Sequence, residues 1–321
     1  MSADPRSVAR GAVLDVHHER LLDDISLAAQ LGLRSVRLDV PWVLAQPKAG
    51  AVDGDVIEHV QIAAGAARSA GVEPWLRLLQ PAIPHWFDDE GGFTDDRNAA
   101  HWWPRWVETA ADHLGEVAAG WVPFEAPFAM SRRLMPDDLA RQVDVLHTMV
   151  VAWRDAWRLL RGVHPVATSL DVAIERPIDN SPDARDEARR RDHLRWGLWL
   201  RGFHDGMVRV PGRADRELAD FAGSLDVLGL ALRKDLETAI IRTADHGLDI
   251  PISITFRPTG DTDGDRALDI RAMWRVIGEL SADLPLHSVT ITPFADLPGA
   301  PGVVTADREL KDSGDAFVSP D

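Results

Sequence analysis

The sequence predicts an α/β protein folded as a single (β/α)8 barrel. Eight strand-like runs lie along the 321 residues, and most of them are separated by segments long enough for a helix. Alternating strands and helices indicate a parallel sheet, and eight such strands in a chain of this length most simply close into a barrel. An open doubly wound sheet is disfavoured, because no Gly-x-Gly-x-x-Gly turn follows the first strand and no phosphate-binding loop occurs.

A repeated order of helix, glycine and strand supports this fold. Apolar residues recur at helical spacing over residues 21–29, Gly32 ends that helix, and a strand follows. Residues 1–305 form the predicted barrel, and the polar, Asp-rich stretch 306–321 is predicted to be a tail that frays. The predicted strands are ARGAVLDV (9–16), SVRLDV (35–40), EPWLRLL (73–79), GWVPFEA (120–126), PVATSLDVAI (165–174), LDVLGLAL (225–232), PISITF (251–256) and SVTITPF (288–294).

Composition and charge limit the classes of function. Hydrophobic residues make up 45% of the chain and charged residues 27%, values typical of a globular protein. A formal net charge of −16 repels phosphate backbones, so no nucleic-acid partner is expected. No run of about 18 apolar residues occurs, and the first residues lack the apolar core of a signal peptide. We therefore expect a cytoplasmic protein without a membrane partner.

The residue types present also bear on cofactors and assembly. The chain has no cysteine, which excludes disulfides, thiolate nucleophiles and cysteine metal sites. His17 and His18 have no supporting histidine spacing elsewhere, so no metal site is predicted. No cofactor is predicted, and the oligomeric state is left open.

Charged side chains interrupt predicted strands that are otherwise apolar. A strand of a parallel barrel is buried on both faces, so a charge on it must lie at a strand end or pair inside the lumen. Asp39 and Glu125 come late enough in their strands to lie at the carboxyl ends, where active sites of this fold are found. Arg37, Arg77 and Asp171 join them as candidate site residues.

Seven segments with motif-like sequences follow one another over residues 15–300. The stretch DDISLAAQLGLRSVRLDVPW (23–42) is similar to the family sequence EDIALMKELGVKAYRFSISW, LDVLGLALRKD (225–235) to D-F-L-G-I-N-Y-Y, and PISITF (251–256) to P-I-Y-I-T-E-N-G. Together they resemble glycoside hydrolase family 1, the β-glucosidase family. The resemblance implies a barrel whose loops are shorter than the family's. It also implies descent from enzymes that hydrolyse β-glycosides with retention, using two glutamates.

The resemblance places both catalytic glutamate positions of the family on other residues. The acid/base motif T-F-N-E-P matches VPFEAP (122–127), where the glutamate falls on Ala126 and the asparagine before it on Glu125. The nucleophile motif I-T-E-N-G matches ITFRP (254–258), where the glutamate falls on Phe256. A general acid typically contributes about 10²–10⁴ in rate, and loss of the nucleophile removes the two-step route. Retaining hydrolysis is therefore expected to be absent.

Other positions of the family motifs differ as well. The histidine and tryptophan of H-W-D-L-P fall on Gln80 and Pro81, and the asparagine after the nucleophile falls on Arg257. The tyrosine that orients the nucleophile falls near Leu232, and the chain contains no tyrosine at all. The resemblance therefore leaves this chain without the family's nucleophile and without the side chain that orients it.

Two interpretations stay open for the charged strand residues. Arg37 and Arg77 either form structural salt bridges or hold an anionic ligand such as a sugar acid or a phosphate. Glu125 is either a salt-bridge residue at the rim or a relocated acid/base with Asp39 or Asp171 as its partner. Two carboxylates about 5–10 Å apart across a cavity would favour hydrolysis. A direct contact between Glu125 and Arg37 or Arg77 would favour a structural pair.

The sequence predicts a protein that binds a carbohydrate-like or anionic small molecule, or acts as a scaffold, without retaining β-glycosidase activity. The alternative is an active β-glucosidase-like hydrolase with Glu125 as the acid/base. Trp86 is either a platform for a sugar ring or an anchor for its loop. The predicted ligand-binding residues are Arg37, Asp39, Arg77, Gln80, Glu125, Asp171 and Trp86.

Overall fold

The computed structural model describes residues 7–136 and 138–320. Within them, eight parallel strands form one sheet in the order β4-β3-β2-β1-β10-β9-β8-β5, and β6 and β7 form a separate antiparallel pair. The strands are β1 Ala9–Leu14, β2 Ser35–Asp39, β3 Glu73–Leu79, β4 Gly120–Phe124, β5 Leu170–Asp171, β6 Met207–Val208, β7 Arg216–Glu217, β8 Leu228–Leu232, β9 Ile252–Phe256 and β10 Leu286–Ile291.

The two edges of the eight-stranded sheet meet between β4 and the segment that leads into β5. The N–H of Trp121 donates to the carbonyl of Pro165 at 2.9 Å, and the N–H of Ala167 donates to the carbonyl of Trp121 at 2.8 Å. These bonds curl the sheet into a barrel and leave no open edge on this side. The predicted fold class and all eight predicted strands are confirmed.

Helices alternate with the strands and cover the outside of the barrel. Among the residues described, no helix combines the length and the apolar character needed to cross a membrane. A 3₁₀ turn at Gly92–Thr94 and a π-helical turn at His193–Gly197 complete the helical segments. The α-helices are α1 Leu21–Gln30, α2 Trp42–Ala45, α3 Gly54–Ser69, α4 His85–Asp89, α5 Asp96–Leu114, α6 Pro127–Leu134, α7 Leu139–Leu160, α8 Pro182–Asp192, α9 Leu198–Asp205, α10 Leu236–Ala244, α11 Asp263–Leu280 and α12 Asp312–Val318.

Buried tryptophans join the helices to the barrel. The indole N–H of Trp106 on α5 donates to the carbonyl of Leu78 on β3 at 2.9 Å, and that of Trp103 donates to the carbonyl of Ala152 on α7 at 2.9 Å. Both side chains are fully buried, so each satisfies its polar tip while burying a large apolar surface. These contacts attach α5 to β3 and to α7.

An apolar cluster and a pair of serines share the lower half of the lumen. Val122, Ala167 and Val227 form the cluster, with Trp75 packed against it. Gly120 makes room for that tryptophan, since a Cβ atom at this position would lie 2.4 Å from the indole ring. The hydroxyl groups of Ser253 and Ser288 bond to each other at 2.7 Å near the amino ends of β9 and β10.

Residues 306–320 are ordered against the barrel, so the predicted fraying tail is corrected for these residues. Phe317 on α12 is buried, and its ring centroid lies 5.8 Å from that of Trp274 on α11. Arg308 forms two hydrogen bonds with Asp24 on α1, at 2.7 and 2.8 Å, and both side chains are buried. The polar composition of this stretch predicts a solvated tail, whereas the charge of Arg308 is paired with Asp24 inside the protein.

Arg308→Met tests the attachment of this C-terminal segment. The substitution leaves the Asp24 carboxylate buried without its partner, so we expect the free energy of unfolding to fall by about 3 kcal/mol. Urea denaturation of the two proteins measures the difference. The matched control is Arg189→Met, whose partner Asp186 is exposed, and which should change little. Equal losses in the two variants would contradict the attachment.

Candidate active site at the carboxyl ends of the strands

Arg77 joins two of the predicted carboxylates in one ion-pair cluster. Its Nε donates to Oδ1 of Asp39 at 2.5 Å and its Nη2 to Oδ2 at 2.8 Å, while Nη1 forms an ion pair with Glu125. The three side chains are only 12%, 22% and 21% exposed. Paired, charge-assisted bonds of this kind are strong and fix the orientation of both partners. The contact between Glu125 and Arg77 is the one expected of a structural pair.

Glu125 reaches this cluster through the turn that ends β4. Ala126 follows with φ of +52°, in the left-handed region that a residue with a side chain rarely adopts, and α6 begins at Pro127. The N–H of Ala126 donates to the carbonyl of Ser169 at 2.7 Å, which holds the turn against the next strand segment. Such a backbone conformation persists only where its surroundings maintain it.

Arg37 lies inside the lumen on β2, two residues before Asp39. Its side chain is only 6% exposed, and its Nη1 donates across the barrel to Oγ1 of Thr255 at 2.9 Å and to Oγ of Ser169 at 3.5 Å. Burial and the charge of Arg77 lower its pKa to about 10, against the raising effect of Asp39. Arg37 therefore stays protonated at neutral pH and donates to neutral hydroxyl groups, while its Nε is buried without a hydrogen-bond partner, and it does not join the Arg77 cluster.

Asp171 at the end of β5 binds the start of α6. Its Oδ1 accepts the N–H of Phe128 at 3.2 Å, and its Oδ2 accepts the N–H of Ala129 at 3.1 Å and Nη1 of Arg195 at 2.9 Å. The Arg195 guanidinium also lies 4.3 Å over the Phe128 ring. Burial nevertheless raises the pKa of Asp171 to about 6, against the lowering effects of Arg195 and the backbone N–H groups.

The remaining two predicted ligand-binding residues fasten loops. Oε1 of Gln80 accepts the N–H of Trp42 at 3.2 Å, and its Nε2 donates to the carbonyl of Arg77 at 2.8 Å. The indole N–H of Trp86 donates to the carbonyl of Gln46 at 2.8 Å, and its ring packs edge-on against Trp42. Both polar ends of Gln80 and the polar tip of Trp86 are thus already bonded.

The end of β9 offers no carboxylate. Thr255 faces the lumen, where Arg37 bonds to it, so Phe256 faces the helices, because neighbouring strand residues point to opposite sides. Phe256 is 3% exposed and lies beside Ala272 and Met273 of α11. Residues 252–260 contain neither aspartate nor glutamate. No choice of register can therefore bring a carboxylate from this strand end into the lumen.

Two arginines at the rim were missed as site residues. Arg233 follows β8 directly and Arg257 follows β9 directly, and the N–H of Arg257 donates to the carbonyl of Leu232 at 3.0 Å. Burial and the neighbouring Arg233 guanidinium lower the pKa of Arg257. The available signal was a charged residue directly after an apolar strand.

Comparison with known proteins assigns a family to this architecture. A model of glycosyl hydrolase family 1 matches residues 5–222. Beta-glucosidase 34 of Oryza sativa subsp. japonica is 22% identical over 351 residues, covering 95% of this chain and 67% of that protein. The thermostable beta-glucosidase B of Thermobispora bispora is 26% identical over 316 residues, covering 91% and 65%. This chain thus spans about two thirds of the length of these two relatives.

Solved structures show the same fold. The GH1 beta-glucosidase from Exiguobacterium antarcticum B7 superposes with a TM-score of 0.84 at 15% identity, covering 99% of this chain and 98% of that chain. A family 1 b-glucosidase from Thermotoga maritima superposes with a TM-score of 0.78 at 13% identity, covering 94% and 85%. At these identities the likeness concerns the barrel alone.

Asp171→Asn tests the protonation of Asp171. The pKa in the folded protein, about 6, lies above the ordinary value of 3.8, so the folded state holds this proton more tightly. The wild type should therefore gain stability relative to the variant as the pH falls from 7 to 5. Urea denaturation at several pH values measures the difference. A difference that moves the other way would mean that the ion pair with Arg195 outweighs burial.

Proposed function

This chain belongs to glycosyl hydrolase family 1, and from that premise we propose that it binds a carbohydrate-like or anionic small molecule without hydrolysing β-glycosides. The ligand site lies at the carboxyl ends of the strands, where barrels of this kind place their chemistry. The observation that carries the proposal is the ion pair between Glu125 and Arg77.

Retaining hydrolysis requires two carboxyl groups about 5–5.5 Å apart on either side of the scissile bond. Glu125 is the only carboxylate within residues 120–136, and Arg77 already binds it together with Asp39. Residues 252–260 contribute none from the facing side. We therefore assign the two catalytic positions of the family to Ala126 and Phe256, neither of which can donate a proton or attack a sugar.

The Arg77 cluster supports a structural role for Glu125. Freeing the carboxylate for proton transfer would leave the Arg77 guanidinium, only 12% exposed, with half of its counter-charge removed. A general acid must also come within hydrogen-bond distance of the leaving-group oxygen. A carboxylate that an arginine holds must first give up part of that ion pair. Glu125 therefore serves best as the second counter-ion of Arg77.

One observation favours the alternative of an active hydrolase. A pKa of about 6 places Asp171 in the range useful for a general acid, and Glu125 would then supply the second carboxylate. Both oxygens of Asp171, however, accept hydrogen bonds from the start of α6 or from Arg195. The alternative would have to break these bonds and the ion pair of Glu125 in the same step, so it ranks second.

An assay of aryl β-glycoside hydrolysis tests the proposal. We expect the purified protein to release nitrophenol from nitrophenyl β-glucoside, β-galactoside and β-mannoside no faster than buffer, because arginines already bind the carboxylates of Asp39, Glu125 and Asp171. Glu125→Gln and Asp171→Asn should leave that background unchanged.

The informative contrary result is turnover by the wild type that Glu125→Gln abolishes. It would establish Glu125 as a working acid/base and overturn the proposal in favour of the active hydrolase. A matched control is Glu187→Gln, which removes a partly exposed carboxylate on α8 that pairs with Arg190 and Arg191 of the same helix.

A further inference from the structure

We infer that Arg233 and Arg257 together bind the carboxylate or phosphate group of a sugar derivative at the carboxyl ends of β8 and β9. The sugar part of this ligand rests on the proposed function, whereas the anionic part rests on the two arginines themselves. Arg37 and Arg77, for which the sequence also allows an anionic ligand, are not part of this site.

The strand register places the two arginines side by side. Leu232 pairs with Phe256 in the parallel ladder between β8 and β9, so the next residues on the two strands are Arg233 and Arg257. The hydrogen bond from the N–H of Arg257 to the carbonyl of Leu232 continues the ladder to this point. Adjacent strands lie about 4.8 Å apart. At this spacing, two guanidinium groups on neighbouring strands reach the same bound anion.

The strand pleat directs Arg257 towards the lumen. Thr255 faces the lumen, and Arg257 lies two residues further along the same strand. Arg233 lies in the bend that follows β8, and it lines a cavity beside Phe256 and Met273 on the helix side of the strands. The two arginines therefore lie next to each other at the rim, at the ends of β8 and β9.

Neither arginine has a carboxylate partner within residues 7–136 and 138–320. Arg257 is partly buried and Arg233 is exposed, and the two positive charges repel each other. The nearest acidic neighbour in sequence, Asp235, is turned away and bonds to Arg176 at 3.3 Å. An anion placed between the two guanidinium groups would relieve this repulsion and replace the water lost from Arg257.

The other two lumen arginines are less suited to an anion. Arg77 holds Asp39 and Glu125, so that two carboxylates surround one guanidinium. Arg37 bonds to the hydroxyl groups of Thr255 and Ser169, and although its Nε is buried without a partner, the side chain is only 6% exposed. At the rim an incoming anion meets Arg257, which has no carboxylate partner within the described residues, beside the guanidinium of Arg233.

The chemistry of guanidinium selects the kind of anion. Its planar fork of N–H groups matches the two oxygens of a carboxylate or a phosphate. Arg233 and Lys234 also line a cavity of about 330 Å³ on the helix side of the strands, where Asp235, Glu237 and Asp269 contribute three carboxylates. A sugar acid or a sugar phosphate therefore places its anionic group at the rim, between Arg233 and Arg257, and away from these carboxylates.

Isothermal titration calorimetry at low ionic strength tests the inference. The probes are glucose 6-phosphate, glucuronate, inorganic phosphate and glucose. We expect both sugar anions to bind, glucose to bind more weakly, and added salt to weaken the anions only. Loss of a charge-assisted hydrogen bond in Arg257→Gln or Arg233→Gln should weaken anion binding roughly tenfold to a hundredfold.

Arg271→Gln is the matched control, because it removes one exposed arginine of α11 and should leave anion binding unchanged. A second readout separates this role from a structural one. Arg257→Gln should preserve or raise the melting temperature without ligand, since it removes a desolvated charge that a like charge repels. A clear fall in melting temperature, or anion binding that the two variants leave intact, would overturn the inference.

The outcomes also separate this inference from the proposed function. Hydrolysis of an aryl β-glucoside would refute the proposed function, while the anion titrations would still decide the arginine site. Inorganic phosphate that binds as tightly as glucose 6-phosphate would support the arginine site as an anion site and overturn its sugar part. The absence of binding by every anion would overturn the inference even if no hydrolysis occurs.

Discussion

The ion pairs of Arg77 determine what the carboxyl ends of the strands can do. One guanidinium on β3 holds Asp39 from β2 and Glu125 from the end of β4, and so links three neighbouring strands. Because the side chains are largely removed from water, each charge depends on the others for its compensation. A carboxylate in this position stabilises the barrel rim, and it is poorly placed to exchange a proton with a substrate.

Several features of the site follow from this arrangement. With Glu125 directed at Arg77, Ala126 takes the left-handed conformation that ends β4 and begins α6, and Asp171 then accepts the first free N–H groups of that helix. The lumen hydroxyls of Thr255 and Ser169 are left for Arg37. Within residues 7–136 and 138–320, Arg233 and Arg257 at the ends of β8 and β9 have no carboxylate partner.

The sequence was sufficient for the barrel because its evidence is local. Each strand is a short apolar run, and glycines such as Gly32 and Gly71 stop the preceding helices with positive φ angles. The site was less predictable because it depends on which side chains face each other. Glu125 and Arg77 lie 48 residues apart, and only the register of β3 with β4 brings them together.

The same limit explains what the sequence concealed. Arg257 lies beside Arg233 only through the pairing of β8 with β9, and Arg308 reaches Asp24 across 284 residues. Composition made the last stretch look solvated, although Phe317 and Arg308 fix it to the barrel. Phe256 could be matched to a motif, but its outward direction follows from the bond between Arg37 and Thr255.

The most direct test of the central claim is a double-mutant cycle on Arg77 and Glu125. The free energy of unfolding is measured for the wild type, Arg77→Gln, Glu125→Gln and the double variant. If Glu125 serves as a counter-ion, the two substitutions should be coupled by roughly 0.5–3 kcal/mol, with the double variant less destabilised than the sum of the single ones. Additive effects would mean that Glu125 is independent of Arg77 and free for catalysis, which would contradict this account.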